Sequence, residues 1–524
     1  METAGPGPGR PRRAPIPLVV GSLLAASIAL LPLVYLVVRA AEDGWSAVAS
    51  TLWRDRTLEL ALRSLELAAV VTAASVVAGT GFAWLVSRTD LPGRRAVRVA
   101  LGLPLALPSY VAAFGWIGWR PDLAGGTGAA VVLTTISYPY VYLPVLAALR
   151  RCDPVLEDVA RSLGHRPGSV FWRVTLPQVR LAAVGGGLLV GLYVLSDFGA
   201  VATMRHEVLT TVIFSSYRGS FDRTPAAVLG CVLALLAIVV VTAEGRTRRR
   251  LGPTAKVGSG AVGAQRVVAL RWARWPTLAV PAAWLGIALG VPAWGLQQWF
   301  AQGTSRPDGG RFVEATANTL QVGAVGAAAV VVVAFPLAIM SVRHPGRLAR
   351  LATSAAYAGH ALPGVVVGLS LVFFGIRYAT PIYQRLPPLV LAYVVLFLSL
   401  ALGAISSSVA QIPPALDDVS RSLGRTAWGT WRAVTARLAA PGVGAAATLV
   451  FLTVMKELPA TLFLRPTGYD TLATQLWGHT SSFSKAAAAP YAVAIVVLAA
   501  LPTALLASLG DGPRRRRGRP DPPP

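Results

Sequence analysis

Apolar runs of about 20 residues alternate with short polar, Arg-rich segments along almost the whole chain. A helix of that length crosses the ~30 Å hydrocarbon core of a bilayer. The runs fall near residues 16–38, 60–87, 98–119, 129–149, 179–203 and 226–243. They resume near 277–296, 319–342, 350–375, 388–408, 442–463 and 490–508. The pattern predicts an all-α integral membrane protein with about twelve spans, six on each side of a basic cytoplasmic linker over 244–276. The first half is expected at 16–243 with its core from about 60, the second at 277–508 with its core from about 315. Residues 1–15, rich in Gly, Pro and Arg, read as a disordered tail, and 509–524 as a basic one. The first apolar run exceeds a signal-peptide h-region, so it reads as an uncleaved span.

Between the fourth and fifth runs lies a charged island that is repeated in the second half. Leu156-Glu157-Asp158-Val159-Ala160-Arg161-Ser162-Leu163-Gly164 recurs as Leu416-Asp417-Asp418-Val419-Ser420-Arg421-Ser422-Leu423-Gly424, an offset of 260 residues. Leu156, Val159 and Leu163, like Leu416, Val419 and Leu423, recur at helical spacing and predict a short amphipathic helix. Gly164 or Gly424 then ends it. A second segment follows, with Trp172-Arg173-Val174-Thr175 matching Trp431-Arg432-Ala433-Val434-Thr435. Six spans per half bring both copies to the same membrane face, so the halves are parallel repeats about an axis along the membrane normal. The spans repeat too. Leu107-Pro108 in the third resembles Leu362-Pro363 in the ninth, and Asp197-Phe198-Gly199-Ala200 stands 260 residues before Glu457-Leu458-Pro459-Ala460.

Composition agrees with a membrane protein. Hydrophobic residues make up 54% of the 524 and charged residues only 14%. The formal net charge of +25 belongs to loops rather than to a separate basic domain, which argues against nucleic acid as a partner. With the N-terminus inside, roughly 33 Lys/Arg fall on the cytoplasmic side and roughly 13 outside. Both termini, the linker and both repeated loops are therefore expected to be cytoplasmic. Cys152 and Cys231 suggest neither a disulfide framework nor a metal cluster. Lys256, Lys456 and Lys485 are the only lysines and none stands in a phosphate-binding G-x-x-x-x-G-K-[ST] loop. No H-E-x-x-H, G-x-S-x-G or Cys/His ligand spacing occurs, so an enzyme working alone is not expected.

The stretch from Asp158 to Gly164 resembles the E-A-A-x-x-x-G loop of permeases in binding-protein-dependent ABC importers, with Val174-Thr175-Leu176-Pro177 matching the usual continuation. The copy from Asp418 to Gly424 resembles it as well, but has Ala436-Arg437 where Leu-Pro is usual, and Asp replaces Glu in both. Lys456-Glu457-Leu458-Pro459-Ala460-Thr461 through Arg465-Pro466, Tyr469-Asp470-Thr471 downstream, and Ser196-Asp197-Phe198-Gly199 look like fused ferric-iron-type permeases. Thiamine, polyamine, sulfate and phosphonate permeases share the architecture. The resemblance implies two parallel six-helix repeats of the type I importer fold in a plasma membrane. It implies no cofactor bound by this chain, ATP and Mg being used by two copies of a cytoplasmic ABC ATPase. It further implies an extracytoplasmic binding protein tethered as a lipoprotein. The coupling loops would consist of Asp158, Val159, Ala160, Arg161, Leu163, Gly164, Leu176 and Pro177, and of Asp418, Val419, Ser420, Arg421, Leu423 and Gly424. A secondary transporter would instead need ion sites at the midplane and no docking loops.

Acids within spans are costly and face a cavity or a partner. Asp197 and Glu457 are therefore candidate pathway residues, as transient oxygen contacts for a ferric ion or another cation rather than a fixed metal site. The structural alternative pairs Glu457 with Lys456 or Arg465, or uses the acids to cap helices broken at Pro459. Pro108, Ser109, Tyr110, His360 and Pro363 interrupt the third and ninth spans and are the remaining pathway candidates, as gating bends or as packing kinks.

Overall fold

The structure is a computed structural model describing residues 14–152, 154–219, 223–250, 267–303, 308–482 and 484–510. Most of both expected tails and the middle of the linker lie outside these residues. Among the described residues there is no strand, and the one isolated β-bridge joins Thr89 to Val268. Nine described helices are long and apolar enough to cross a bilayer. Two bent pairs raise the number to 11, and the helix Lys485–Gly510, apolar over Lys485–Ala500, supplies a shorter one.

The first half runs through Ile16–Ala41, Asp55–Arg88, a bent pair, Gly126–Arg150, Gly168–Ser196 and Thr224–Ala243. The second runs through Arg271–Ala301, Gly309–Arg343, a bent pair, Leu386–Ala410, Trp428–Met455 and Lys485–Gly510. The third and ninth spans are not the straight helices their apolar runs suggest. Arg94–Ala106 and Ser109–Trp119 meet at 96°, and Arg347–His360 and Gly364–Tyr378 at 102°. Proline is the cause. Leu107 is extended (ψ 120°), as a residue before proline prefers, and Pro108 follows at φ −62°, ψ 144°. Pro363 has nearly the same angles, φ −60° and ψ 145°.

The halves exchange their first spans. Ile16–Ala41 packs on the second half, where Ser370 Oγ donates to the Pro32 carbonyl at 2.7 Å and Tyr35 lies edge-on to Phe374 and Tyr378. Arg271–Ala301 packs on the first. There Trp299 Nε1 donates to the Phe114 carbonyl at 3.2 Å and its ring stacks on Phe114 at 5.7 Å. Gly115 and Gly295 let these two backbones touch. A Cβ on Gly295 would lie 1.7 Å from the Gly115 oxygen, so no side chain fits.

The end of the linker is docked as well. Val268 N–H donates to the Arg88 carbonyl at 2.8 Å, and Leu270 N–H to Asp90 Oδ1 at 2.7 Å. Arg274 meets the other Asp90 oxygen at 2.6 Å. The Leu270 N–H first, with Arg274 adding to it, holds the Asp90 carboxyl below its usual range.

Candidate functional site: two matched loops and an inter-half cavity

Each loop is a helix, a glycine turn and a second helix that continues into a span. Pro154–Ser162 and Pro414–Ser422 form the first helices. Gly164 and Gly424 follow at φ +83° and +81°. Gly164 N–H donates to the Arg161 carbonyl at 2.9 Å and His165 N–H to Ala160 at 3.1 Å. Gly424 and Arg425 repeat this on Arg421 and Ser420 at 2.9 and 3.3 Å. This paired closure satisfies the last carbonyls of a helix through one left-handed residue, which favours glycine.

The apolar faces of the two helices point away from the protein. Leu156, Val159 and Leu163 are 51%, 49% and 73% exposed, and Leu416, Val419 and Leu423 are 40%, 56% and 76% exposed. Trp172 and Trp428 extend the same kind of surface. An amphipathic helix ordinarily turns its apolar stripe toward its own core. Two matched reversals leave two apolar patches with charged rims. Asp158 stands on the first rim beside Arg161 at 3.7 Å, and Asp418 and Arg421 are exposed on the second. Ala160 and Ser420 are the buried members of the motif, small where the helix meets the following segment.

What fixes each loop to the protein is a neighbour of the motif acid. Glu157 is 5% exposed and pairs at 3.1 Å with Arg88, itself 2% exposed at the end of the second span. Arg88 also donates to the Leu149 carbonyl, and Thr175 Oγ1 donates to Glu157 Oε1 at 3.0 Å. The second half repeats the latch with Asp417, which meets Arg343 at 3.6 Å and accepts from Thr435 Oγ1 at 3.2 Å. Asp is a methylene shorter than Glu, and this pair is looser and more exposed, at 13% and 21%. The sequence carried a signal for these residues. An acid at 157 and 417, a threonine at 175 and 435, and an arginine ending the second and eighth spans all survive in both copies.

Beyond the latch the chain is a rod. Gly168–Ser196 is one helix of 29 residues, about 43 Å at 1.5 Å per residue. Trp428–Met455 is its counterpart. Each contains one π-helical segment at matched positions, Phe171–Thr175 and Trp431–Thr435. Leu176 N–H reaches back to the Phe171 carbonyl and Ala436 N–H to Trp431. Leu176 is half-buried and Pro177 exposed, as are Ala436 and Arg437. The departure from Leu-Pro in the second copy therefore leaves the backbone path unchanged.

The far ends of both rods meet in a cavity of about 300 Å³ between the halves. Asp197 and Glu457 sit at these ends, where the helices stop at Ser196 and Met455, seven and eight residues before the ends of the expected fifth and eleventh apolar runs. Each acid caps the next short helix. Asp197 Oδ1 accepts from Ala200 N–H at 2.9 Å and Val201 N–H at 3.3 Å, and Ser109 also hydrogen-bonds to it. Glu457 accepts from Ala460 N–H at 2.9 Å, Thr461 N–H at 3.0 Å and Thr461 Oγ1 at 2.8 Å. Arg465 pairs with Asp470 rather than with Glu457, and Lys456 reaches across to the Leu105 carbonyl of the first half at 3.3 Å. Of the pathway candidates, Pro108, Ser109, Tyr110, His360 and Pro459 line this cavity with the two acids. Pro363 does not, although its neighbours Leu362 and Gly364 do. His360 Nδ1 lies 2.5 Å from the Leu396 carbonyl. Among the described residues no cluster of three or more His, Cys, Asp or Glu can hold a metal ion.

Residues 57–251 and 324–515 each match the family described as binding-protein-dependent transport system inner membrane component. The chain is 35% identical over 502 residues to the "Fe(3+)-transport system permease protein FbpB 2" of Haemophilus influenzae, covering 95% of this chain and 99% of that one. It is 31% identical over 219 residues to the sulfate transport system permease protein CysW of Synechocystis, covering 38% of this chain and 79% of that one. It is 32% identical over 254 residues to the molybdenum transport system permease protein ModB of Mycobacterium tuberculosis, covering 45% and 94%.

Proposed function

The chain belongs to the family of binding-protein-dependent transport inner membrane components, as two fused copies, and from that premise we propose that it is the whole translocation subunit of an ATP-driven ferric-iron importer. A multi-pass permease with two parallel all-α repeats needs no partner of its own kind, because its halves already enclose one cavity. The observation that carries the reading is the pair of matched loops. Each presents an apolar patch outward while a buried ion pair holds it to the protein.

The loops would each seat one copy of a cytoplasmic ATPase, which binds and hydrolyses ATP with Mg. The termini and linker would share that face, and a binding protein would deliver cargo on the other. When the ATPase pair closes, each loop moves as a rigid body with the helix that follows it. The rods Gly168–Ser196 and Trp428–Met455 carry that motion to the ends where Asp197 and Glu457 cap the next helices. The capping bonds keep those ends intact as the cavity changes the side to which it opens. Cargo identity follows the long match to an iron permease.

The test is uptake of [55Fe]ferric citrate by cells with and without this gene, with thiamine and sulfate as comparison cargoes. Gene-dependent, ATP-dependent uptake of iron alone is the expected result. Gene-dependent uptake of thiamine or sulfate without iron would keep the permease and replace its cargo.

A further inference from the structure

The groups that line the cavity are engaged unevenly. Both carboxylates spend their oxygens on helix N-termini and hydroxyls, as described above, and neither forms an ion pair with Lys456 among the described residues. Lys456 follows the last residue of its helix with an ammonium that reaches across the cavity, and among the described residues its one hydrogen-bond partner is the Leu105 carbonyl. An ammonium has three donors, so two remain for cargo. Tyr110 lines the same cavity, is 5% exposed, and its buried hydroxyl has no hydrogen-bond partner among the described residues. Among the described residues the cavity holds no cluster of three or more His, Cys, Asp or Glu side chains to cage a bare trivalent cation, and its two acids already cap helices.

A second pocket, about 220 Å³, is lined by residues of both halves, among them Arg205, Thr480, Ser481 and Lys485. Phe198 of the cavity and Trp477 of this pocket touch with ring centroids 5.0 Å apart, so an aromatic contact between the halves separates the two spaces. The two charged side chains of this second space, Arg205 and Lys485, are cations.

We propose that Lys456, with the Tyr110 hydroxyl, receives an oxyanion. That oxyanion is either the cargo itself or a ligand that a ferric ion carries into the cavity. The inference rests on the permease reading and deepens it, by assigning charge to what passes. A cationic point charge and a phenolic donor match anion oxygens, and an intramembrane charge is retained where it has such a partner.

The experiment measures gene-dependent uptake of [55Fe]ferric citrate and of [35S]sulfate for Lys456→Gln, Lys456→Arg and Tyr110→Phe in cells lacking the chromosomal copy. Gln keeps a donor for the Leu105 carbonyl and removes the charge. Arg keeps both. Phe removes a hydroxyl that has no hydrogen-bond partner among the described residues, so it tests the site without breaking a described contact. The expected result is a fall of about tenfold or more for Gln, retention within about threefold for Arg, and a smaller fall for Phe. Sensitivity of iron uptake to this series places the oxyanion on the metal; sensitivity of sulfate uptake makes it the free cargo. Gene-dependent uptake that Lys456→Gln leaves unchanged or raises, for iron and sulfate alike, overturns this inference and leaves the permease reading standing. Gene-dependent uptake of neither cargo removes both.

Discussion

Glu157→Ala abolishes uptake and lowers the thermal stability of the purified protein, while Asp417→Ala does each to a smaller degree. The reason is burial. Removing the Glu157 carboxylate strands Arg88, which is 2% exposed and among the described residues keeps the Leu149 carbonyl alone. Breaking such a pair from one side costs about 3–5 kcal/mol, because the remaining charge has lost its partner without regaining water. The latch at Asp417 is longer, at 3.6 Å, and partly wetted, so its loss is expected to cost about 1–2 kcal/mol. Glu157→Gln keeps an acceptor for Thr175 and falls between. Uptake, membrane abundance and melting of the purified protein check the order. Equal effects of Glu157→Ala and Asp417→Ala would contradict the asymmetry of the two latches.

Gly164→Val and Gly424→Val each cut uptake tenfold or more, the double variant eliminates it, and all three insert normally. Both glycines have a left-handed backbone, and nothing lies within 4 Å of where a Cβ would stand. The penalty is therefore conformational, about 1–2 kcal/mol per residue and greater for a β-branched side chain. That is too little to unfold twelve packed spans and enough to turn the exposed helix away from its seat. Asparagine tolerates this conformation, so Gly164→Asn retains most activity. A valine variant with wild-type uptake would show that loop geometry is not needed for coupling.

The architecture was legible because bilayer thickness imposes a length on every span, and because fusion wrote the fold twice. The loops were legible as motifs, but their orientation was not. Apolar residues at helical spacing say that a helix has a face, not which way it turns. The acid at the motif position, Asp158, proved to stand on the rim, and the anchoring role fell to Glu157 one residue earlier. The exchange of the first spans was hidden for a related reason. A lipid-facing and a protein-facing apolar surface have the same composition, and only the contact of Gly115 with Gly295 reveals a close crossing. The prolines at 108 and 363 announced interruptions, but their near-right-angle bends needed the structure. The sequence leaves Asp197 and Glu457 open between transient cation contacts and structural roles as ion-pair partners or helix caps. In the fold their oxygens cap helices, and the lysine beside Glu457 lines the same cavity.

The central claim is that the two exposed loop helices are seats for a pair of ATPase subunits. A photo-crosslinking amino acid in place of Leu163, and separately of Leu423, tests it in native membranes. The account predicts that each position forms an adduct with the same ABC ATPase, identified by peptide mass spectrometry, and that a control at Val77, exposed on the second span, does not. Adducts at neither loop, from a chain that still supports uptake, would contradict it.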